Sequence, residues 1–333
     1  MANTTSKEEV IFVLTVDTEE EWDWSDEFPN DNFSVSNIFE IPALQLFCQE
    51  LGIKPTYFVD YAVANNPNAA AVLANINPTL CEIGAHLHPW ANPPFFGLTS
   101  EESSHVVNLP IEQTQQKLKL LIEKIQDNIG ATPRSFRTGR WGINGDILQL
   151  LITNDFDVDS SIYPFYSNEF FSCENAKISP YWPDFNKPNQ EGAQRKILEI
   201  PVTCGFNKNN YPLCQKIHRA MEQAPFTWIK ANGLLWHSKL LRKIYLSPEL
   251  CTAKDMIKLV DLSLKKKHKI LHMYLHSSSL IEGITGLSQD KNARESICKK
   301  IQQVIEHTKQ NANIKFCTIS EAKKQLAQQQ NTN

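Results

Sequence analysis

The feature that most constrains the fold is the alternation of short β-rich runs with longer helical patterns along the chain. Eight runs have the apolar, β-branched and aromatic composition of buried strands: residues 10–17, 54–60, 80–86, 134–139, 156–161, 196–203, 269–276 and 314–319. The clearest helical patterns cover residues 37–51, 110–129, 252–267 and, less sharply bounded, 290–312 and 320–329. Because parallel strands need such crossovers, the alternation predicts an α/β fold of parallel βα units, closed or nearly closed into a barrel.

Two stretches interrupt the alternation. Residues 162–195 are rich in Pro, Asn and aromatic residues and are predicted to form a long loop beside the functional site. Residues 204–250 contain only weak helical patterns and are predicted to be an insertion. Since no linker divides the chain, we expect a single domain over residues 1–333, with its core at about 10–320 and these insertions.

Charge and hydropathy exclude several classes of function. The 333 residues carry a formal charge of −4, without a basic half, which argues against nucleic-acid binding; the basic run at 265–269 is expected to be a solvated helix end. We predict no membrane span, because no run approaches the ~18 apolar residues that one needs. The first ten residues lack an apolar signal segment, and the eight cysteines form no C-x-x-C pair, so we expect a cytoplasmic protein. The oligomeric state stays open.

Polar and charged residues collect where the predicted strands end. The ends of parallel barrel strands share one face of the molecule, where catalytic residues lie. The residues at these ends are Asp17 and Glu19 after the first strand, His86 and His88 after the third, Arg137, Arg140 and Trp141 after the fourth, Asp159 in the fifth, and His276 at the end of the seventh. We therefore expect acids, histidines and arginine to meet on one face.

These residue types suit metal-assisted hydrolysis. His86 and His88 are two residues apart, so their side chains face the same side of a strand. Two imidazoles and one carboxylate satisfy a catalytic divalent metal and leave positions for water and substrate. Of Asp17 and Glu19, one would bind the metal and the other would take a proton from water. His276, on a separate strand, would protonate the leaving group from the opposite side.

Each feature alone is also compatible with a structural role. A histidine pair can be hydrogen-bonded, an acidic run can be a solvated loop, Arg137 can be an ion-pair partner and Asp159 can cap a turn. His272 lies on the same strand as His276 but roughly 13 Å further from its C-terminal end, so we assign it to packing or hydrogen bonding. The remaining histidines are predicted to be structural or exposed: His105, His218, His237, His268 and His307.

Taken in order, these segments resemble the polysaccharide deacetylases of the NodB-homology type (carbohydrate esterase family 4). The resemblance is greatest to a branch associated with lipopolysaccharide and surface-polysaccharide genes. Its five motifs are matched by LTVDTEEEW, EIGAHLHPW, FRTGRWG, DVDSSIYP and YLHSSSL, in the family's order over about residues 10–320. The resemblance implies a distorted (β/α)7-type barrel and hydrolysis of an acetyl group on a sugar.

The resemblance also implies roles for individual residues. Asp17 would be the general base and His276 the general acid. Glu19 and His86 would bind a divalent metal, for which we expect zinc. Arg137 would hold the base in its ionised form, and Asp159 would orient or tune His276.

The sequence departs from the family pattern at two positions of the metal site. Thr18 follows Asp17 where the pattern has a second aspartate, so the expected metal carboxylate is Glu19 or a neighbouring acid of the same run. Trp90 occupies the position of the second histidine, and His88 is the expected substitute. Arg140 and Trp141 in the third motif are predicted to shape the substrate pocket.

The predicted substrate is an N-acetylated sugar, in a polysaccharide or in its precursor. Aromatic residues that could stack on sugar rings flank the motifs: Trp22, Trp90, Trp141, Tyr163 and Trp182. Two alternatives stay open. One is an amidohydrolase of a small non-sugar amide such as a cyclic ureide. The other is a metal-free carbohydrate-binding pseudoenzyme, which Trp90 keeps open.

Overall fold

The computed structural model describes residues 7–29, 31–223, 231–286 and 290–331, and it confirms the predicted alternation. The strands are β1 Glu9–Thr18, β2 Thr56–Val59, β3 Glu82–Leu87, β4 Ser135–Thr138, β5 Val158–Asp159, β6 Leu198–Glu199, β7 Cys204–Phe206, β8 Lys243–Tyr245, β9 Ile270–His276 and β10 Asn313–Phe316. The helices are α1 Ile41–Leu51, α2 Tyr61–Asn65, α3 Pro67–Ala74, α4 Ile111–Ile129, α5 Gly145–Thr153, α6 Tyr211–Met221, α7 Ala231–His237, α8 Ala253–Lys265, α9 Ala293–Asn311 and α10 Ile319–Asn331. Short 3-10 helices cover Ser36–Glu40, Val106–Asn108 and Ser277–Leu280.

The large sheet is parallel and centres on β1. One edge of β1 pairs with β9; the other edge pairs with β10 in its first half and with β2 in its second half. From β2 the order continues through β3, β4, β5 and β6. After β6, the Thr203 amide donates to the His272 carbonyl at 3.0 Å, which brings the chain back to β9. The result is the predicted distorted (β/α)7-type barrel, with β10 as an additional strand.

The two faces of β1 show why the sheet is covered on both sides. Phe12 and Leu14 pack in the large core between the sheet and the helices, whereas Ile11 and Val13 belong to a smaller cluster with Phe58. A strand buried on both faces reads as a continuous apolar run, which is typical of parallel sheets. Each fully buried side chain of this size stabilises the fold by roughly 1.5–3 kcal/mol.

Helix ends follow the signals in the sequence where those signals are strong. Gly130 ends α4 in the left-handed conformation with φ 77°, and the Thr252 hydroxyl accepts a hydrogen bond from the Asp255 amide at the start of α8. The sequence analysis missed the short helices α2, α3 and α5. Pro67 begins α3 directly after Asn66, which caps it, so that the two helices α2 and α3 are too short to show a periodic pattern.

The predicted insertion has more structure than its sequence indicated. Strands β7 and β8 form an antiparallel ribbon in which Gly205 lies opposite Ile244, and α6 and α7 lie between them in the chain. Among the described residues, no helix combines the length and the apolar character that are needed to cross a bilayer. The single-domain organisation over residues 1–333 stays a prediction.

Candidate active site

A cavity of about 240 Å³ opens at the C-terminal ends of the barrel strands. Most of the predicted site residues line it: Asp17, Glu19, His86, His88, Trp90, Arg140, Trp141, Tyr163 and His276. Arg137 is fully buried below the cavity, and Asp159 is buried away from it. The strand ends therefore converge as the alternation predicts, and the partners of each side chain determine what the cavity can do.

Three donor atoms meet on one side of the cavity. The Glu19 carboxylate oxygen Oε2 is 3.3 Å from Nε2 of His86 and 3.3 Å from Nε2 of His88. The ligand atoms of all three residues lie within 4.8 Å of one another, and all three residues are buried. Ligands at about 2.0–2.1 Å from a tetrahedral zinc ion are about 3.3 Å apart. The donor set therefore fits a divalent metal.

In both histidines, a hydrogen bond at Nδ1 fixes the orientation of the ring, so that Nε2 points inward. Nδ1–H of His86 donates to the carbonyl of Arg137 at 3.0 Å, and Nδ1–H of His88 donates to Glu20 at 2.9 Å. Because Nδ1 is occupied by these hydrogen bonds in each ring, Nε2 is the nitrogen that faces Glu19 and would bind a metal. Gly139 is required beside them, since a Cβ there would lie 2.2 Å from the His88 ring.

Glu20 holds the second histidine and was not singled out by the sequence analysis. Its carboxylate accepts from His88 and from the indole N–H of Trp90, the latter at 2.5 Å. The Trp90 ring also stacks on the His88 ring, with 4.3 Å between ring centroids. Trp90 thus supports His88 from behind, in addition to lining the cavity as predicted. Glu20 lies within an acidic run, so the sequence contained no signal that separated it from its neighbours.

Buried carboxylates change the pKa values of the residues around His88. Burial alone would lower the pKa of His88, but the charge of Glu20 and the contacts with Glu19 outweigh it and raise that pKa well above its ordinary value. Burial and the charge of Glu20 raise the pKa of Asp60 well above its ordinary value. A raised pKa favours the protonated, neutral form of Asp60, which reduces the repulsion between the two buried acids.

Arg137 connects the layer below the cavity to Asp17. Its Nη1 donates to Asp17 Oδ1 at 2.5 Å, and its Nη2 donates to the hydroxyls of Thr15 and Ser160 at 3.0 Å. The guanidinium also lies 4.6 Å from the ring centroid of Phe58. A buried arginine with this many partners fixes the Asp17 carboxylate in one orientation. The predicted pairing is present, and the catalytic role of Asp17 stays a prediction.

His276 ends β9, in register with Asp17 of β1. Its Nε2 is 3.6 Å from Asp17 Oδ2, and its Nδ1–H donates to Glu249 at 2.7 Å. Burial alone would lower the pKa of His276, but the charges of Glu249, Glu19 and Asp17 outweigh it and raise the pKa of His276 to about 10. His276 is therefore an imidazolium at neutral pH, with one N–H directed toward Asp17.

The predicted contact between Asp159 and His276 is wrong. Asp159 accepts a hydrogen bond from the Ser161 hydroxyl at 2.6 Å and pairs in register with Glu199 of β6, and burial raises the pKa of both carboxyls. Glu249 takes the place beside His276 instead. It comes from the loop after β8, at the end of the insertion, a stretch without a motif that could have identified it.

Stacked aromatic residues form a wall of the cavity. Tyr163 is stacked between Trp141 and Tyr245, with ring centroids 4.5 and 4.3 Å away, and its hydroxyl is 2.6 Å from the hydroxyl of Tyr274. Trp22 lines the cavity as well. Trp182 packs in the smaller core cluster and does not line the cavity.

The loop after β4 closes one end of the cavity. Arg140 and Trp141 both have left-handed backbone conformations, with φ 63° and 64°, which cost of order 1–3 kcal/mol each in residues other than glycine. Arg140 is held there by an ion pair with Glu101 and a hydrogen bond to Ser104, both at 2.7 Å. His105, for which a structural or surface role is predicted, is buried and lines the cavity.

Comparisons with known proteins show the fold. A solved structure from Mycobacterium smegmatis, described as a polysaccharide deacetylase, superposes with a TM-score of 0.56 at 12% identity, over 99% of this chain and 94% of that one. A probable polysaccharide deacetylase from Pseudomonas aeruginosa PAO1 gives 0.50 at 13% identity, over 95% and 90%. The chain has the NodB-homology fold of the polysaccharide deacetylases.

The same polysaccharide deacetylase fold also matches part of an enzyme with a different reaction. A 4-alpha-glucanotransferase from Thermococcus litoralis gives a TM-score of 0.51 at 12% identity, over 94% of this chain and 40% of that one. No family model and no curated protein sequence matches the chain. At these identities the comparisons establish the fold, and the activity is argued from the site. The lipopolysaccharide branch stays a prediction.

Proposed function

We propose that this chain is a metal-dependent hydrolase that removes an N-acetyl group from a sugar, either in a polysaccharide or in its precursor. The observation that carries the proposal is the convergence of Glu19, His86 and His88 at one point of the cavity, with Asp17 and His276 beside it. A divalent ion held by these three residues, with zinc as our choice, would polarise the acetyl carbonyl and lower the pKa of a water molecule.

Asp17 accepts the proton of the attacking water. One of its oxygens is bound by Arg137, and the other faces His276 at 3.6 Å on the cavity side. The carboxylate is thus fixed by a residue that does not touch the substrate, which is the arrangement that a positioned general base requires. Thr18, where the family pattern has a second aspartate, leaves metal binding to Glu19.

His276 donates a proton to the amine that leaves the acetyl carbon. The hydrogen bond from Nδ1–H to Glu249 leaves the other N–H, on Nε2, facing the cavity. An amine is a poor leaving group unless its nitrogen is protonated, so an imidazolium at this position assists the bond cleavage. Glu249 keeps the ring protonated and oriented, and so acts through His276 as a positioning residue.

The aromatic wall supports a sugar as the substrate. Trp141 and Tyr163 offer flat apolar surfaces, and Trp24 places its ring 4.8 Å from the His276 ring at the mouth of the cavity. Sugar rings present apolar C–H faces that pack on such rings, while their hydroxyls need polar partners such as the hydroxyl of Tyr274 and the guanidinium of Arg140.

The test combines metal analysis with acetate release. Protein purified without chelator should contain a divalent metal and release acetate from at least one member of a panel of N-acetylated sugars and nucleotide sugars. His86→Ala should lose both properties while its circular dichroism is unchanged. The matched control is His307→Ala, a histidine that pairs with Asp261 outside the cavity and should behave as wild type.

Two results would contradict the proposal. A metal-free protein that stays inactive with added zinc, cobalt or manganese would indicate a carbohydrate-binding pseudoenzyme. Opening of a cyclic ureide without acetate release from any sugar would indicate an amidohydrolase of small amides.

A further inference from the structure

The insertion is positively charged, although the net charge of the whole chain is negative. Residues 204–250 contain seven lysines and arginines and two glutamates, a formal charge of +5, whereas the rest of the chain carries −9 to give −4 overall. The sequence analysis noted only the basic run at 265–269. Opposite charge in separate parts of one chain indicates a surface with an acidic partner.

In the folded chain, basic residues of the insertion join those of α8. A depression of about 610 Å³ is lined by Lys208, Lys239, Arg242, Lys254 and Lys258. Its two acids are already paired, since Asp255 binds Arg242 and Asp261 binds His307, each at 2.7 Å. The lysines at 208, 239, 254 and 258 are exposed to solvent. The depression therefore has an excess of unneutralised positive charge.

Exposed aliphatic residues follow the depression closely in the chain, since α6 begins at Tyr211, two residues after Asn209 of the lining. On α6, Tyr211 and Cys214 face inward, whereas Leu213 and Ile217, one turn apart, are 52% and 40% exposed, with Lys216 next to them. Leu240 is 62% exposed and follows Lys239 of the depression. A surface helix normally turns polar residues outward. Apolar residues interleaved with lysines are typical of elements that lie in a membrane interface.

We propose that this basic apolar surface, formed by Leu213, Lys216, Ile217, Lys239 and Leu240 with the lysines of the depression, docks on a membrane that contains anionic lipid. The leucines and isoleucine enter the headgroup region, and the lysines bind the acidic headgroups. A nucleic acid would match the charge but would leave the aliphatic side chains in water. None of these residues lines the active-site cavity, so docking and hydrolysis are separable.

The first measurement is flotation of the whole chain with lipid vesicles. The protein should float with vesicles of phosphatidylcholine and phosphatidylglycerol and should stay behind with vesicles of phosphatidylcholine alone. Binding should weaken as salt is added, because screening reduces the attraction between lysines and headgroups.

Variants then separate the two components of the surface. Leu213→Gln with Ile217→Gln should abolish flotation through loss of the apolar contact. Lys216→Glu with Lys239→Glu should weaken binding by at least about fivefold for each charge. Leu46→Gln is the matched control, because Leu46 is 59% exposed on α1 and should leave binding unchanged. Unfolding temperature and acetate release of each variant establish that the fold is intact.

Several outcomes would overturn the proposal. They are absence of flotation by the wild-type protein, equal binding to neutral and anionic vesicles, or unchanged binding by both pairs of variants. Self-association of the wild-type protein that disappears in the Leu213→Gln, Ile217→Gln variant would assign the surface to a second copy of the chain. Salt-sensitive binding to single-stranded DNA but not to vesicles would assign it to nucleic acid.

Discussion

Two histidines on strand β9, four residues apart, differ in protonation: His272 is fully buried and His276 is partly exposed to the cavity. His272 contacts the Arg137 guanidinium at 3.3 Å and backbone carbonyls, and burial together with the charge of Arg137 lowers its pKa well below the ordinary value. His276 faces Glu249 and Asp17 and has a pKa raised to about 10. The same residue type on the same strand is neutral in one layer and cationic in the next, because different elements supply its neighbours.

The two histidines also contribute to stability with opposite dependence on pH. In the unfolded chain, His272 is protonated below about pH 6.5, whereas in the folded chain its lowered pKa keeps it neutral. Protonation therefore favours the unfolded chain, and His272 makes the fold less stable as pH falls below about 6.5. Folded His276 holds its proton more tightly than the unfolded chain. Its stabilisation is complete below about pH 6.5 and is lost as pH rises through about 10.

The largest expected effect on the rate of acetate release comes from replacing His276, the cationic histidine of the pair. His276→Ala should lower the rate of acetate release by about 10²–10⁴-fold, since it removes the proton donor, and should retain the metal. Measurements of rate and metal content test this together. Wild-type turnover by the variant would mean that the acid comes from another residue.

Glu20 has the same role at the metal site as Glu249 has at His276: its carboxylate accepts the Nδ1–H hydrogen bond of His88. Glu20→Gln should weaken metal binding by about 10–100-fold, measured by competition with a chelator. The control is Glu21→Gln, whose carboxylate binds Ser34 and Ser36 instead. Equal loss of metal in both variants would remove the special role of Glu20.

Glu249→Gln tests whether one carboxylate makes His276 differ from His272. Loss of the negative charge should lower the pKa of His276 by about one to three units, so that the alkaline limb of the pH–rate profile moves to lower pH. Metal content should stay constant. An alkaline limb at its wild-type position would show that Glu249 does not control the protonation of His276.

The smallest effect on rate is expected at His272. His272→Asn should change turnover by less than about tenfold but should lower the free energy of unfolding by about 1–3 kcal/mol at neutral pH, because the Thr15 hydroxyl loses a buried partner. Below about pH 6.5 the variant should lose less additional stability than the wild type, as measured by urea unfolding. A parallel decline of both proteins would contradict the assignment of His272 as neutral.

Much of the site could be predicted from local patterns. His86 and His88 share a side because side chains alternate along a strand, and Asp17 and His276 share a face because parallel strands end together. Glu249 could not be predicted, since it precedes its partner by 27 residues in a stretch without periodicity. Asp159 does lie at a strand end, as predicted. However, the register between β5 and β6 places it beside Glu199 and not beside His276.

The sequence by itself determined the order of the barrel strands and the longer helices, the parallel barrel and the face on which the polar residues gather. These properties depend on neighbours along the chain, through the periods of 2 and 3.6 residues that burial imposes. Only the tertiary structure assigned Glu20 to His88, Glu249 to His276 and Arg137 to His272. Protonation depends on charge through space at distances of a few ångströms, and residues far apart in the sequence supply that charge.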